Sequence, residues 1–135
     1  MKIAFTNGCF DILHLGHIEM LRYAKSLADE LVVGIDSDRR IGEKKGKSRP
    51  INDSNSRMAI LNAIRYVDKV SVFDTDEELI HLVQTINPDI MIIGSDWQGK
   101  KVIGSEYAKE IHFFKRIPQY STTKTIESIA FGRVV

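Results

Sequence analysis

Lys2-Ile3-Ala4-Phe5-Thr6 is a short apolar run of strand length, and Asn7-Gly8 closes it with a turn signal. Ile18, Leu21, Ala24, Lys25 and Leu27 then recur at three- to four-residue intervals, which predicts a helix over 17–27. A β-rich run follows at Leu31-Val32-Val33-Gly34-Ile35. Strand, helix and strand in this order form a parallel unit, because two parallel strands need a crossover between them. The alternation continues down the chain. Met58, Ile60, Leu61 and Ile64 restart a helical period, and 67–73 reads as a third strand. Leu79, Ile80, Leu82, Val83 and Ile86 make another helix, closed by Asn87-Pro88. Ile90-Met91-Ile92-Ile93 is a fourth strand ended by Gly94, and Ile111-His112-Phe113-Phe114 a fifth. Ser121 or Thr122 caps a last helix through Ile126 and Ile129. The pattern predicts an α/β protein with a parallel five-stranded sheet and helices on both faces. In such sheets ligands lie beyond the carboxyl ends of the strands, which singles out the segments after Thr6, Ile35, Phe73, Ile93 and Phe114.

Composition limits the rest. The 135 residues suit one domain, 1–135, with an ordinary 43% hydrophobic and 27% charged content. A formal net charge of +1 gives no global field to recruit nucleic acid or a membrane, so an anion site has to be built locally. Cys9 is the one cysteine, which excludes an intramolecular disulfide and leaves a redox role without a resolving thiol. No apolar run reaches the roughly 18 residues of a membrane span, and the first ten residues do not read as a signal peptide. The expectation is a cytoplasmic protein.

The local anion site is legible after the first strand, in Gly8-Cys9-Phe10-Asp11-Ile12-Leu13-His14-Leu15-Gly16-His17. Two histidines three residues apart flank a glycine at the start of a helix. Imidazoles donate hydrogen bonds to phosphate oxygens and add charge when protonated. The helix start adds free N–H groups and the positive end of its dipole. Gly16 leaves room for a triphosphate to approach the backbone. On residue type alone, capping histidines or half of a metal site remain alternatives, although no zinc-type third ligand cluster accompanies the pair.

The stretch resembles the signature of the cytidylyltransferase-like nucleotidyltransferase superfamily. Its hallmark, His-x-Gly-His after Gly-x-Phe-Asp, stands here as His14-Leu15-Gly16-His17 after Gly8-Cys9-Phe10-Asp11. The resemblance implies a Rossmann-like, doubly wound fold and attack of an acceptor phosphate on the α-phosphorus of a nucleotide. It implies that His14 and His17 stabilise the pentacovalent transition state, with Gly8, Cys9, Phe10, Asp11 and Gly16 around the nucleotide. Catalysis is then positioning and electrostatic stabilisation, each donor contributing about 10²–10³ in rate.

Residues 36–54 form a basic stretch. Gly42-Glu43-Lys44-Lys45-Gly46-Lys47-Ser48 fails as a P-loop, because three residues separate its glycines where the motif needs four. The alternatives are a solvated loop and a cationic lid over a triphosphate. The family carries a phosphate-contacting lysine in this region; Lys44, Lys45 and Lys47 are the candidates, with Lys44 and Lys47 preferred. Lys47-Ser48-Arg49-Pro50-Ile51-Asn52, followed by Arg57, resembles the branch that activates heptose 1-phosphate with ATP, and Arg57 would face the acceptor phosphate. Arg65-Tyr66-Val67-Asp68 instead resembles the glycerol 3-phosphate cytidylyltransferase branch, with Arg65 toward the acceptor. Gly94-Ser95-Asp96-Trp97-Gln98-Gly99-Lys100 resembles the same branch; Asp96 would accept from a base or ribose, and Trp97 would stack on a ring.

Arg116 stands five positions before Ser121-Thr122-Thr123, as in the family's final signature. A second helix start there would hold the β- and γ-phosphates, with Arg116 adding a bidentate contact. Ile117-Pro118-Gln119-Tyr120 replaces the Arg-Thr-x-Gly-Ile pattern of many cytidylyltransferases, and Val102-Ile103-Gly104-Ser105 leans to the heptose branch. Taken together these features favour CTP over ATP, with a glycerol phosphate or sugar phosphate as acceptor. Mg²⁺ would be required, held by phosphates and waters near Asp11, and the family implies a homodimer. A different class, a non-catalytic nucleotide sensor, would bind nucleotide without releasing pyrophosphate.

Overall fold

The structure is a computed structural model describing residues 1–118 and 120–132. Five strands form one parallel sheet: β1 (Ile3–Gly8), β2 (Glu30–Asp36), β3 (Lys69–Phe73), β4 (Ile90–Gly94) and β5 (Glu110–Phe114). Their order is β3-β2-β1-β4-β5. The chain starts in the centre, winds outward to β3, then returns to place β4 on the other side of β1. The direction of winding reverses between β1 and β4, and a crevice opens there at the strands' carboxyl ends.

Alternation along the strands divides the core in two. Leu31, Val33 and Ile35 of β2 and Ile90 and Ile92 of β4 face one side, packed with Leu21 and Ala24 of α1 (Leu15–Ser26) and Leu61 of α3 (Ser54–Asn62). Val32, Met91 and Ile93 face the other, under Leu79 and Val83 of α4 (Asp76–Ile86). Both faces are buried, so the central strands are apolar nearly throughout. The expected five-stranded, doubly wound sheet is the observed one.

The boundaries differ where pairing outweighs local signals. The first strand runs through Asn7 and Gly8, because β2 pairs alongside them in register, Asn7 with Gly34 and Gly8 with Ile35. The first helix begins at Leu15, capped by His14, rather than at His17. The third strand starts at Lys69, since Val67 still closes the turn after α3 through its N–H to the Ile64 carbonyl. The largest difference is in the basic stretch, which is helical over α2 (Asp38–Lys45). Ser37 caps α2 by accepting from Arg40 N–H, and Arg40 and Ile41 are buried beneath it. Arg40 is held at both ends, by Asp36 of β2 and Asp76 of α4. Lys44 and Lys45 therefore project from a docked helix, not from a mobile loop.

Candidate active site

The turn after β1 is shaped by two residues in left-handed backbone, Phe10 at φ 51° and Ile12 at φ 49°. Between them the buried carboxylate of Asp11 accepts from Ile51 N–H at 2.6 Å and Asn52 N–H at 2.9 Å. Arg57 is equally buried. It donates to the carbonyls of Cys9, Asp36 and Asn52 and to the carboxylate of Asp38. This single guanidinium ties the ends of β1 and β2 to the start of α2.

These two residues correct the sequence reading. Asp11 is committed to backbone N–H groups inside the protein and holds the turn rather than a nucleotide or Mg²⁺. Arg57 was expected to face an acceptor phosphate, and its donors are spent on the protein interior instead. Arg65 is corrected too. It is exposed just before β3, over the Tyr66 ring, at the amino end of the sheet and away from the crevice.

The histidines lie at the crevice. His14 caps α1, its Nδ1 accepting from Gly16 N–H at 3.1 Å. His17 Nδ1 accepts from His14 N–H at 3.2 Å. Each ring, when neutral, therefore carries its hydrogen on Nε2. The ring centroids are 3.9 Å apart. A Cβ on Gly16 would stand 2.8 Å from His14 Cε1, so glycine is required for the imidazole to fold against the helix start.

Burial pushes the His17 imidazole down to about 4, with the charges of His14, Lys45 and Arg116 acting in the same sense. His14 is lowered as well, first by partial burial and then by Arg116. Both rings are neutral donors near pH 7 in the free protein.

The second helix mouth belongs to the same cradle. Ser121 caps α5 (Thr122–Phe131) by accepting from Lys124 N–H, and Thr122 Oγ1 donates to the Asp11 carbonyl at 2.7 Å. Sequence positions 111 residues apart are thereby stitched together. With Lys124 N–H taken by Ser121, the N–H groups of Thr122 and Thr123 at this helix start have no partner within the helix.

Two adjoining lobes make up the crevice. One, of about 270 Å³, is bounded by His14, Gly16, His17, Asp96, Arg116 and Ser121-Thr122-Thr123, with Phe114, Ile117 and Tyr120 as its apolar wall. The other, of about 350 Å³, is bounded by Gly8, Cys9, Asp36, Arg40, Lys44, Trp97 and Lys101. Met20, Lys45 and Gly94 line both. Together they have the size of a small-molecule site, roughly 300–1,000 Å³.

Of the lysine candidates, Lys45 is the one shared by the two lobes, Lys44 lines the second, and Lys47 is exposed beyond α2. Of the two preferred lysines, Lys44 reaches the crevice and Lys47, two residues past the end of α2, does not line either lobe. Phe10 is buried behind the wall, its ring 5.5 Å from that of His17. Trp97, half exposed, stands on the rim of the second lobe with Lys100 over its face. Tyr120 stacks near His14. Gln119 lies outside the described residues. Met20, Asp36, Arg40 and Lys101 line the site without having been singled out; Met20 and Asp36 carried only the signal of a helix and a strand position, and Arg40 and Lys101 none. No group of three or more His, Cys, Asp or Glu side chains that could hold a metal ion occurs among the described residues. No helix among the described residues is long and apolar enough to cross a membrane.

The chain belongs to the cytidylyltransferase-like family, whose profile matches residues 5–128. It is 47% identical over 127 residues to the bifunctional protein HldE of Campylobacter fetus and 48% identical over 128 residues to that of Helicobacter pylori strain HPAG1. These matches take in 94% and 95% of the chain but 28% and 27% of the two relatives. Among solved structures, a lipopolysaccharide core biosynthesis protein from Thermoplasma volcanium is similar at a TM-score of 0.70 and 31% identity, over 87% of this chain and 99% of that one. Pantothenate synthetase from Thermus thermophilus, at 14% identity and a TM-score of 0.62 over 87% of this chain and 56% of that one, shares the fold alone.

Proposed function

We propose that this protein transfers the adenylyl group of ATP to a heptose 1-phosphate or closely similar sugar 1-phosphate, with release of pyrophosphate. The observation that carries a nucleotidyl transfer is the shared cradle: His14, His17 and Ser121-Thr122-Thr123 line one lobe, and Thr122 is bonded to the histidine turn itself. The choice of ATP over CTP reverses the preference drawn from the sequence. Relatives named HldE and a lipopolysaccharide core biosynthesis protein favour the heptose branch, as do the residues from Lys47 to Asn52. The segment Arg65 to Asp68, which argued for CTP, is remote from the crevice: Asp68 accepts from Lys25 and from Leu31 N–H at the amino end of β2.

In this reading the nucleotide occupies the histidine lobe, its β- and γ-phosphates at the mouth of α5. The acceptor occupies the second lobe, and Lys45 lies between them. An acceptor phosphate oxygen attacks the α-phosphorus. The new P–O bond forms as the bond to the β-phosphate oxygen breaks, and pyrophosphate leaves with that electron pair. His17 and His14 donate Nε2–H to the oxygens that gain charge, and Arg116 and Lys45 balance the leaving group. Phosphate oxygens and waters would hold a Mg²⁺ ion here, which would supply charge neutralisation of the triphosphate. A homodimer and a cytoplasmic location are further parts of the proposal.

The test is a matrix of four nucleoside triphosphates against phosphorylated acceptors, read by pyrophosphate release. ATP with heptose 1-phosphate is expected to give the highest turnover. CTP with glycerol 3-phosphate as the best pair would restore the other branch. Tight ATP binding with no release for any acceptor would make the protein a sensor.

A further inference from the structure

The second lobe has a carboxylate in its wall that phosphoryl chemistry does not use. Asp36 is the last residue of β2, 8% exposed, beside the end of β1. Its Oδ1 accepts from Arg40 Nε at 3.0 Å. Its Oδ2 accepts from the Cys9 thiol at 3.3 Å. A thiol is a weak donor, so a carboxylate oxygen that wants a strong one has been given a poor substitute. In dinucleotide-binding sheets a carboxylate about this far beyond the first turn bonds a ribose hydroxyl, which shows that a carboxylate at this place in the fold can reach a sugar. Its neighbours match a phosphorylated sugar. Lys44, Lys45 and Lys101 supply positive charge along the same lobe, and the half-exposed indole of Trp97 offers an apolar face.

The geometry points to Asp36 as the residue that selects the acceptor: its carboxylate takes hydrogen bonds from hydroxyls of a sugar phosphate in the second lobe, in place of the Cys9 thiol. This rests on the assignment of that lobe to the acceptor. The carboxylate acts on specificity, because the hydroxyls it holds are not at the reacting phosphorus. A site built to bond a hydroxyl discriminates against an analogue that lacks it, since the protein group is left with its poorer partner.

The experiment compares the full chain and its Asp36→Asn variant on heptose 1-phosphate, hexose 1-phosphates and singly deoxygenated hexose 1-phosphates, at saturating ATP. In the unaltered protein at least one deoxygenation is expected to lower kcat/KM by about 10–100-fold. In Asp36→Asn that penalty shrinks to about threefold or less, while the ATP affinity measured by calorimetry stays within the same factor. The same deoxy penalty in both proteins overturns the inference and leaves the adenylyltransferase reading intact. A loss of ATP affinity in place of acceptor selectivity also overturns it, because the carboxylate would then be reading the nucleotide's ribose. Absence of pyrophosphate release with every sugar phosphate overturns the functional reading and this inference with it. Should loss of the Arg40 pair unfold the variant, Cys9→Ser provides the second measurement. Its stronger O–H donor competes for Oδ2 and raises KM for the hydroxylated acceptors more than for the deoxy one; an equal shift for both counts against Asp36.

Discussion

Helices α4 and α5 both begin at the carboxyl end of the sheet, and their first turns treat charge in opposite ways. α4 opens with Thr75 as cap and with Asp76, Glu77 and Glu78 in its first turn. Its dipole meets its own carboxylates, and Asp76 also takes the guanidinium of Arg40. α5 opens with Ser121 as cap and no acid in its first turn, and α1, capped by His14, has none either. The positive ends of α1 and α5 converge on one lobe that contains histidines and Arg116 but a single carboxylate, Asp96. One helix start meets carboxylates of its own first turn, while the other two are capped by neutral side chains and keep the positive ends of their dipoles without an acid. A helix N-terminus is common; two of them without acids, facing a shared cavity, are the feature on which the proposed phosphate site rests.

The sharpest way to break this comparison is to remove the donor between the two mouths. His17→Ala is expected to lower kcat by about 10²–10³, as for loss of one oxyanion-hole donor, with a much smaller change in ATP affinity. Steady-state kinetics and calorimetry check it together. Equal losses in both would show that His17 serves binding uniformly and not the transition state.

A smaller effect follows from making α5 resemble α4. Thr123→Glu places a carboxylate in the first turn, and about a tenfold loss of ATP affinity is expected from repulsion of the phosphates. Thermal stability should hold, because an acid there suits the dipole. Unchanged ATP affinity would remove α5 from the phosphate site.

The smallest effect is read by NMR titration of His17. In the free protein its imidazole is held down to about 4 by burial and by its cationic neighbours. A triphosphate favours the charged ring, so ATP is expected to move the titration upward by about one pH unit or more. The sign for stability is the reverse of that of a paired histidine. Between about 4 and the ordinary value of 6.5 the unfolded chain binds a proton that the folded one refuses. His17 therefore withdraws stability from the free protein as pH falls through that window, and bound ATP offsets the withdrawal. A titration midpoint unmoved by ATP would separate His17 from the phosphates.

What could be read along the chain was whatever repeats within a few residues. The apolar runs at Ala4-Phe5, Leu31-Val32-Val33 and Ile90-Met91-Ile92-Ile93, with helical periods between them, specified a parallel sheet covered on both faces. His14-Leu15-Gly16-His17 and Ser121-Thr122-Thr123 were visible as helix starts, because caps and helix-end donors are local chemistry. The sequence did not show that α2 was a helix, since its signal is one buried Ile41 and an arginine that becomes a core residue only through distant acids.

Burial and partnership were decided by the tertiary structure. Arg57 and Arg65 are both arginines near a helical run; one is locked inside by the carbonyls of Cys9, Asp36 and Asn52, the other lies in solvent at the far end of the sheet. Asp11, part of the motif, became a clamp on Ile51 and Asn52. Lys44 and Lys45 reached the crevice because they stand on the last turn of the docked α2, whereas Lys47 lies past its end. Residue type and spacing determine what a side chain is able to do and which face of its own element it shares. Which groups it meets depends on segments tens of residues away, and only the folded chain brings those within hydrogen-bonding distance.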